Sequence, residues 1–198
     1  MARIKPLAPN EFPKEMRQAI AALRPPNPRH PRPPTENRPK ALHVLGTMAH
    51  HPQLAQAYFT LNGHVLMATT LSERQRELLI MRVAAVRKCG YEWAQHLFMA
   101  RDVGLTDEEI GRISYGPESP FWGYVDAALL RAVDELVIDG TLSEPTWQTL
   151  SAELDTQQLL DLIFTVGTYD LLARLFNALQ MDIDDDIPAL MDKYDQLF

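Results

Sequence analysis

Helical periodicity from residue 40 onward constrains the fold of this chain more than any other feature of its sequence. Apolar residues recur three and four positions apart over stretches near 41–50, 52–69, 72–86, 90–103, 121–139 and 143–154. No run alternates with period two, the spacing that is typical of a half-buried strand. The pattern therefore predicts an all-α fold.

Sequence signals for helix starts agree with this periodicity. In a capping box, the N-cap side chain accepts the backbone N–H of the residue three positions on, whose own side chain accepts the N–H of the N-cap. This spacing precedes three apolar runs, at Ser72 and Gln75, Thr106 and Glu109, and Asp155 and Gln158. We expect a helix to begin at each of them.

Prolines and basic residues are concentrated near the N-terminus. Residues 1–40 hold ten of the fifteen prolines, including the run RPPNPRHPRPP, and nine Lys and Arg against three Glu. Proline fixes φ and lacks a backbone N–H, so the run predicts an extended arm rather than a helix or a central strand. We interpret the arm as a linker or a strap on the protein body. Binding to an acidic partner or to a neighbouring subunit is the alternative.

These patterns divide the chain into three predicted segments. Residues 1–40 contain a short helix and the proline-rich basic arm, residues 41–181 form a single helical domain, and residues 182–198 form an acidic C-terminal helix. We expect Asp186 to cap that last helix, because the Gly and the late Glu of a calcium loop are absent after it. The histidines match no zinc pattern either. We therefore expect no metal and no cofactor.

Charge, hydropathy and cysteine content restrict the classes of partner. The net charge of −7 disfavours binding to nucleic acid. No stretch approaches the roughly 20 apolar residues that span a bilayer, and the N-terminus lacks the apolar segment of a signal peptide. A single cysteine forms no internal disulfide. We expect a cytoplasmic protein with no membrane and no nucleic-acid partner.

The stretch KCGYEWAQH holds the single cysteine, Cys89, together with two further reactive side chains. On a helical wheel, Glu92 and His96 lie together at the edge of the apolar face, whereas Trp93 lies at its centre and Tyr91 on the wet side. Cys89 falls in the same sector as the reactive pair if the helix extends back to it. Burial would raise the pKa of this Glu and the neighbouring imidazole would lower it, so the pair could exchange a proton near neutral pH. The alternative is an ordinary surface pair.

A second carboxylate, Glu77, lies at the edge of the run LLIMRVAAV, which is apolar on every side except for Arg82. Such a run predicts a central helix that neighbours surround. Glu77 shares a face with apolar residues of this helix, and a carboxylate in that position needs a partner or a purpose. In a structural role it would pair with Arg74 near the surface or meet a basic group across a packing seam, and a role in chemistry is the alternative.

One pattern in the chain resembles the carboxymuconolactone decarboxylase family, which includes the alkylhydroperoxidase D-like proteins. The pattern consists of Glu77, Cys89 twelve residues later, the run YEWAQH and the run ARDVGLTDEEI. The resemblance implies an all-helical subunit of the alkylhydroperoxidase D-like fold, assembled into homo-oligomers. In the peroxidase branch, C-x-x-C-x-x-x-H supplies two redox cysteines. Cys89 matches the first cysteine, Glu92 stands in place of the second, His96 matches the histidine, and Glu77 matches an upstream glutamate. Because the chain has no other cysteine, this departure disfavours a dithiol peroxidase.

The E-W-x-x-H form is instead similar to the decarboxylase branch, and that resemblance implies a cofactor-free lyase acting on a small organic acid, lactone or ketone. Glu77 and His96 would relay protons, Glu92 would tune His96 or act as a second acid and base, and Cys89 would line the site. We expect Trp93 and Met99 to line the substrate pocket. Two alternatives stay open: a single-cysteine antioxidant enzyme with peroxiredoxin activity that uses Cys89, and a non-catalytic oligomeric helical protein.

Overall fold

The structure is a computed structural model of the chain, and it describes residues 2–188. Within that range every regular element is helical and no strand occurs, which confirms the predicted all-α fold. Most of the predicted C-terminal helix falls on residues 189–198, outside the described residues. The helices are α1 Met16–Ala21, α2 Leu42–Met48, α3 Pro52–Gly63, α4 Glu73–Val86, α5 Gly90–Asp102, α6 Asp107–Tyr115, α7 Tyr124–Ile138, α8 Glu144–Glu153 and α9 Thr156–Leu179.

Contacts divide the described chain into two compact units. Residues Thr69–Phe176 form one, here called the site unit. The residues before Thr69 and after Phe176 form the other, the terminal unit. The single domain predicted over 41–181 stays a prediction, because compact units need not be the units that fold independently.

In the terminal unit, residues 24–40, which contain the proline run, form no helix. The backbone N–H groups of Arg29 and His30 both donate to the carbonyl of Met67, at 2.7 and 3.0 Å. Met67 belongs to a π-helical turn, His64–Ala68, that continues α3. These bonds hold part of the segment against the end of α3. Binding of this arm to an acidic partner or to a second subunit stays a prediction.

The acidic residues before the C-terminus accept backbone hydrogen bonds within the terminal unit. Carboxylate oxygens of Asp182, Asp184 and Asp186 accept the N–H groups of Ala2, His43 and Lys40 at 3.0, 2.7 and 3.2 Å. These aspartates therefore tie the N-terminal segment and α2 to residues near the C-terminus by hydrogen bonds between positions far apart in the sequence.

The three predicted capping boxes form in the site unit. Their reciprocal bonds measure 3.1 and 2.9 Å for Ser72 with Gln75, 3.2 and 2.8 Å for Thr106 with Glu109, and 2.9 and 3.0 Å for Asp155 with Gln158. Helices α4, α6 and α9 begin immediately after these caps. Each cap satisfies N–H groups that the first helical turn leaves unpaired.

As predicted, α4 is the central helix of the site unit, where it packs against α5, α6 and α7. Its residues from Leu78 to Met81 are fully buried. Arg82, the one charged residue in the apolar run, donates to both carboxylate oxygens of Asp134 on α7 at 2.7 and 2.8 Å. It also donates to the carbonyl of Ile113 on α6 at 2.9 Å. This guanidinium therefore links three helices. No helix within residues 2–188 is both long and apolar enough to cross a membrane.

Candidate active site

Cys89 lies between α4 and α5, where the chain reverses direction. The helix does not extend back to it: Cys89 is the N-cap of α5, with φ −92° and ψ 93°. Its carbonyl accepts the N–H of Trp93 at 3.0 Å, and its own N–H donates to Ala84 of α4 at 2.9 Å. The reversal packs the first turns of α5 against α4, so residues from both helices meet in the interior.

The central feature of the site is a buried chain of three charged or titratable groups. His96 Nδ1 lies 2.8 Å from Glu77 Oε2, and Arg76 Nε donates to Glu77 Oε1 at 3.0 Å. Glu77 is 0%, Arg76 2% and His96 7% exposed. Of the two partners considered for Glu77, the basic group across a packing seam is confirmed. Arg74 instead pairs with Glu109 and Asp126.

Glu77 is ionised in this arrangement. Burial would raise its pKa, but the charges and hydrogen bonds of His96 and Arg76 outweigh burial and place the pKa of Glu77 below its ordinary value. An ionised carboxylate accepts hydrogen bonds, so it holds the proton of a neutral His96 ring on Nδ1. The lone pair of the ring then lies on Nε2, where it can take a proton from another group.

Glu92 is also buried, at 1% exposure, but neither of its carboxylate oxygens has a hydrogen-bond partner. Burial, followed by the nearby charge of Asp170, raises the pKa of Glu92 well above its ordinary value. The expected pairing of Glu92 with His96 is wrong, since the imidazole binds Glu77 instead. The expected lowering of the Glu92 pKa by the imidazole is absent for the same reason. Burial therefore favours the protonated form of Glu92.

The raised pKa of Glu92 predicts how the stability of the chain depends on pH. The folded chain keeps the Glu92 proton at pH values where the unfolded chain, with a pKa near 4.5, has released it. Stability contributed by the proton is thus complete below about pH 4.5 and is lost as pH rises toward the folded-state pKa. In urea titrations, we expect Glu92→Gln to gain stability relative to the unsubstituted chain as pH rises, by at most about 1.4 kcal/mol per pH unit.

Glu118→Gln is the matched control for this measurement, because the Glu118 side chain is 81% exposed. It should show no comparable trend with pH. Parallel stability curves for the unsubstituted chain and Glu92→Gln between pH 4 and 8 would mean that Glu92 is ionised in the folded chain.

Cys89 is 1% exposed, and burial raises the pKa of its thiol to about 11. The backbone N–H groups of Glu92 and Tyr91 act in the opposite direction without overcoming burial, and the charge of Glu92 adds to the rise. The thiolate is the nucleophilic form of cysteine, so a thiol with this pKa is weakly reactive at neutral pH.

The surroundings of α5 differ from the helical-wheel prediction. Tyr91, expected on the wet side, is buried and lies 4.7 Å from Phe176 of α9 between ring centroids. Trp93, expected at the centre of the apolar face, is only half-buried, as is Met99. The wheel failed because a helix covered by neighbours on more than one side has no single apolar face. The assignment of Trp93 and Met99 to a substrate pocket stays a prediction.

Two residues of the site were missed at the sequence level. Tyr169 of α9 contacts the His96 ring edge to face, with centroids 4.9 Å apart and ring planes at 89°. Arg76 escaped notice because adjacent residues on a helix do not ordinarily face each other. A clue to Arg76 was its place beside Glu77 at the start of the buried run. Within residues 2–188, no group of three or more His, Cys, Asp or Glu could hold a metal ion.

Residues 52–135 match the sequence profile of the carboxymuconolactone decarboxylase family. This segment, 84 of the 198 residues, is similar to that family. The matched segment contains Glu77, Cys89, Glu92 and His96. The family resemblance is thereby confirmed, whereas the assignment to its decarboxylase branch stays a prediction. No curated protein sequence matches the chain.

Solved structures share the fold of this chain. A peroxidase-related protein from Ralstonia eutropha with an alkylhydroperoxidase AhpD core has a TM-score of 0.70 and 18% identity, covering 94% of each chain. The debrominase Bmp8 has a TM-score of 0.69 and 16% identity, covering 96% of each chain. A peroxidase-related protein from Silicibacter has a TM-score of 0.66 and 15% identity, covering 73% of this chain and 78% of its own. These likenesses confirm the alkylhydroperoxidase D-like fold.

Proposed function

We propose that this chain is a cofactor-independent enzyme that moves protons on a small organic acid, lactone or ketone, in a decarboxylation or a related lyase reaction. One observation carries the proposal. Glu92 and His96, four residues apart on one side of α5, are both buried, but their partners differ: neither carboxylate oxygen of Glu92 has a hydrogen-bond partner, whereas His96 Nδ1 lies 2.8 Å from Glu77. In the proposed reaction Glu92, whose protonated form burial favours, donates a proton, and the Nε2 atom of His96 accepts one.

These two roles match the needs of decarboxylation. When the bond between the carboxylate carbon and its neighbour breaks, carbon dioxide leaves and its bonding electron pair stays on the remaining carbon. A carbonyl next to that carbon spreads the charge, and a neutral carboxylic acid such as Glu92 can protonate the carbon. His96 at Nε2 would take protons from substrate or product groups, with Glu77 holding the ring in place. A dry site also disfavours the charged carboxylate of the substrate.

Peroxidase chemistry at Cys89 has less support. It requires a thiolate, an external thiol to resolve the oxidised cysteine, and access of peroxide to the sulfur. The thiol is buried, and its pKa of about 11 leaves little thiolate at neutral pH. We therefore assign Cys89 to the lining of the site. A non-catalytic scaffold has less support too, because Glu92 would then be a buried carboxyl group without a partner or a purpose.

The fold can accommodate a small ligand in at least one protein of similar structure. A cysteine-to-alanine variant of the debrominase Bmp8 was solved with 2,3,4-tribromopyrrole, and its chain has 16% identity to this one. That ligand is of the size that we propose for the substrate. We also propose a cytoplasmic location, which the single buried cysteine supports.

A substrate screen in deuterium oxide tests the proposed function. The purified full chain would be incubated with a panel of small keto acids, lactone acids and 2-acyl acids, and products would be followed by NMR. We expect carbon dioxide release with one solvent deuterium incorporated at the carbon that loses the carboxyl group. Peroxide consumption with an external thiol, in the absence of any such turnover, would contradict the proposal and favour the peroxidase.

We also propose that the chain forms a homo-oligomer, as the family resemblance implies. An apolar stripe on α9 supports this proposal. Its residues are spaced three, four and seven positions apart, and each is between 38% and 58% exposed. They are Leu160, Ile163, Phe164 and Leu171. Gly167 lies within the stripe, and a Cβ atom added there would meet nothing within 4 Å. The stripe thus offers an open apolar surface to a second copy of the chain.

Phe164→Glu should reduce the oligomer to a smaller species in sedimentation experiments, because it places a charge in the proposed contact. Leu54→Glu is the matched control, since Leu54 has a similar exposure to Phe164 but lies on α3. It should leave the sedimentation coefficient unchanged. A monomeric unsubstituted chain at micromolar concentration would contradict the proposal.

A further inference from the structure

We propose that Arg76 is a positioning residue that keeps Glu77 ionised and thereby fixes the tautomer of His96 that leaves Nε2 free to accept a proton. Arg76 need not touch a substrate for this role, since it acts through Glu77. The catalytic consequence rests on the proposed function. The effect on His96 can be measured without any substrate.

The first step of the argument is the burial of the carboxylate. Glu77 is 0% exposed, and moving an isolated carboxylate out of water is costly enough that such groups normally take up a proton. A protonated His96 ring favours the ionised carboxylate through its charge, but a neutral ring supplies one hydrogen bond and no charge. Arg76 supplies a permanent positive charge at 3.0 Å, in a guanidinium that is itself only 2% exposed. The pair thus allows two buried groups to stay charged together.

The second step links the state of Glu77 to the state of His96. An ionised Glu77 accepts the proton of Nδ1 across the 2.8 Å contact, which leaves the lone pair on Nε2. A protonated Glu77 would instead donate to Nδ1, and the proton of the neutral ring would then move to Nε2. In that state His96 could not act as a base at Nε2. The charge on Arg76 therefore decides which nitrogen of His96 is available.

The third step concerns the other groups around the pair. Near the pair lie Cys89 at the N-cap of α5, Glu92 on α5, and Tyr169 and Asp170 on α9, and Asp170 is itself paired with Arg87 and Arg174. Burial raises the pKa of both Cys89 and Glu92 and so disfavours a negative charge on either group. Tyr169 contributes an edge-to-face ring contact to His96. Arg76 is the permanent cation that binds Glu77 directly, so it balances the negative charge of that carboxylate.

Titration of the Glu77–His96 pair by NMR tests this inference. Removal of a nearby positive charge makes proton uptake by the pair more favourable, so Arg76→Gln should move the midpoint of the His96 ring signal upward by about 1 to 3 pH units. The signal would be assigned with His96→Asn. Arg76→Lys should keep the midpoint close to that of the unsubstituted chain, because it keeps the charge. The acid limb of the pH profile of kcat/KM should shift in the same direction in Arg76→Gln.

Arg74→Gln is the matched control, because Arg74 lies two residues away on α4 and pairs with Glu109 and Asp126 rather than with Glu77. It should leave the midpoint in place. A purely structural Arg76 would lower stability without moving the midpoint, and that result would overturn the inference.

The unsubstituted chain provides a second measurement, which holds even if Arg76→Gln does not fold. Nitrogen chemical shifts of His96 at pH 7.5 should show a proton on Nδ1 and none on Nε2, and the opposite tautomer would overturn the inference. Both measurements are made without substrate. A chain that shows the expected tautomer and midpoint shift but no turnover would contradict the proposed function and leave the role of Arg76 intact.

Discussion

His96→Asn should lower kcat/KM by about 10²- to 10⁴-fold on the substrate that the screen identifies, which is the range that positioned acid–base groups contribute. The loss should appear mainly in kcat, because the imidazole acts on the reacting atoms rather than on binding. Asparagine is the chosen replacement because its side-chain N–H can still donate to Glu77, which lies 2.8 Å from Nδ1. The substitution thus removes the basic Nε2 atom with little disturbance of the buried carboxylate.

Cys89→Ala provides the contrast to this prediction. If protons are moved by His96 and Glu92, loss of a buried thiol with a pKa of about 11 should leave most of the rate. If the reaction proceeds through the sulfur, Cys89→Ala should abolish it. Equal losses in Cys89→Ala and His96→Asn would point to a thiol nucleophile that His96 activates, and the proton-transfer proposal would fail.

Glu77→Ala should lower the free energy of unfolding by about 3–5 kcal/mol, the range for removing one partner of a buried ion pair. Arg76 would be left as a buried cation without Glu77, and Nδ1 of His96 would lose its acceptor. Equilibrium unfolding in urea at pH 7 measures the change. The midpoint should fall without a change in slope if the transition stays two-state.

Glu118→Ala is the appropriate comparison for Glu77→Ala. Glu118 also pairs with an arginine, Arg131 at 2.7 Å, but its side chain is 81% exposed. Surface ion pairs contribute about 0–1 kcal/mol, so the effect of Glu118→Ala should stay within that range. Similar losses for the two variants would mean that Glu77 is solvated in solution, which would remove the physical basis for a fixed His96.

Together these substitutions separate two properties of the site. Glu77 holds charge in the interior at a cost that Arg76 offsets, so its removal is expected to affect stability strongly. His96 lies at the end of this chain of groups and has a small exposed fraction, so its removal is expected to affect the reaction more than the fold. Glu92 has no hydrogen-bond partner, and its replacement by Gln is expected to stabilise the chain at alkaline pH.

Local sequence was sufficient to locate the helices of the site unit and most of their starting residues. Ser72, Thr106 and Asp155 bind partners only three residues away, so the information needed to begin α4, α6 and α9 lies within one helical turn. The same holds for the central position of α4, because a run that is apolar on nearly every side can be satisfied only by burial. The family resemblance added the correct set of residues to examine.

Side-chain contacts between different helices could not be predicted from local sequence and were seen only in the folded chain. Glu77 and His96 are 19 residues apart, and the turn at Cys89 decides that they meet. Spacing within α5 suggested instead that His96 would bind Glu92, since residues four apart on a helix are neighbours. Because α5 packs on α4, His96 binds Glu77 rather than Glu92. The carboxylate oxygens of Glu92 are left without a hydrogen-bond partner. Long-range packing, which no local pattern records, therefore set the hydrogen-bond partners on which the proposed chemistry depends.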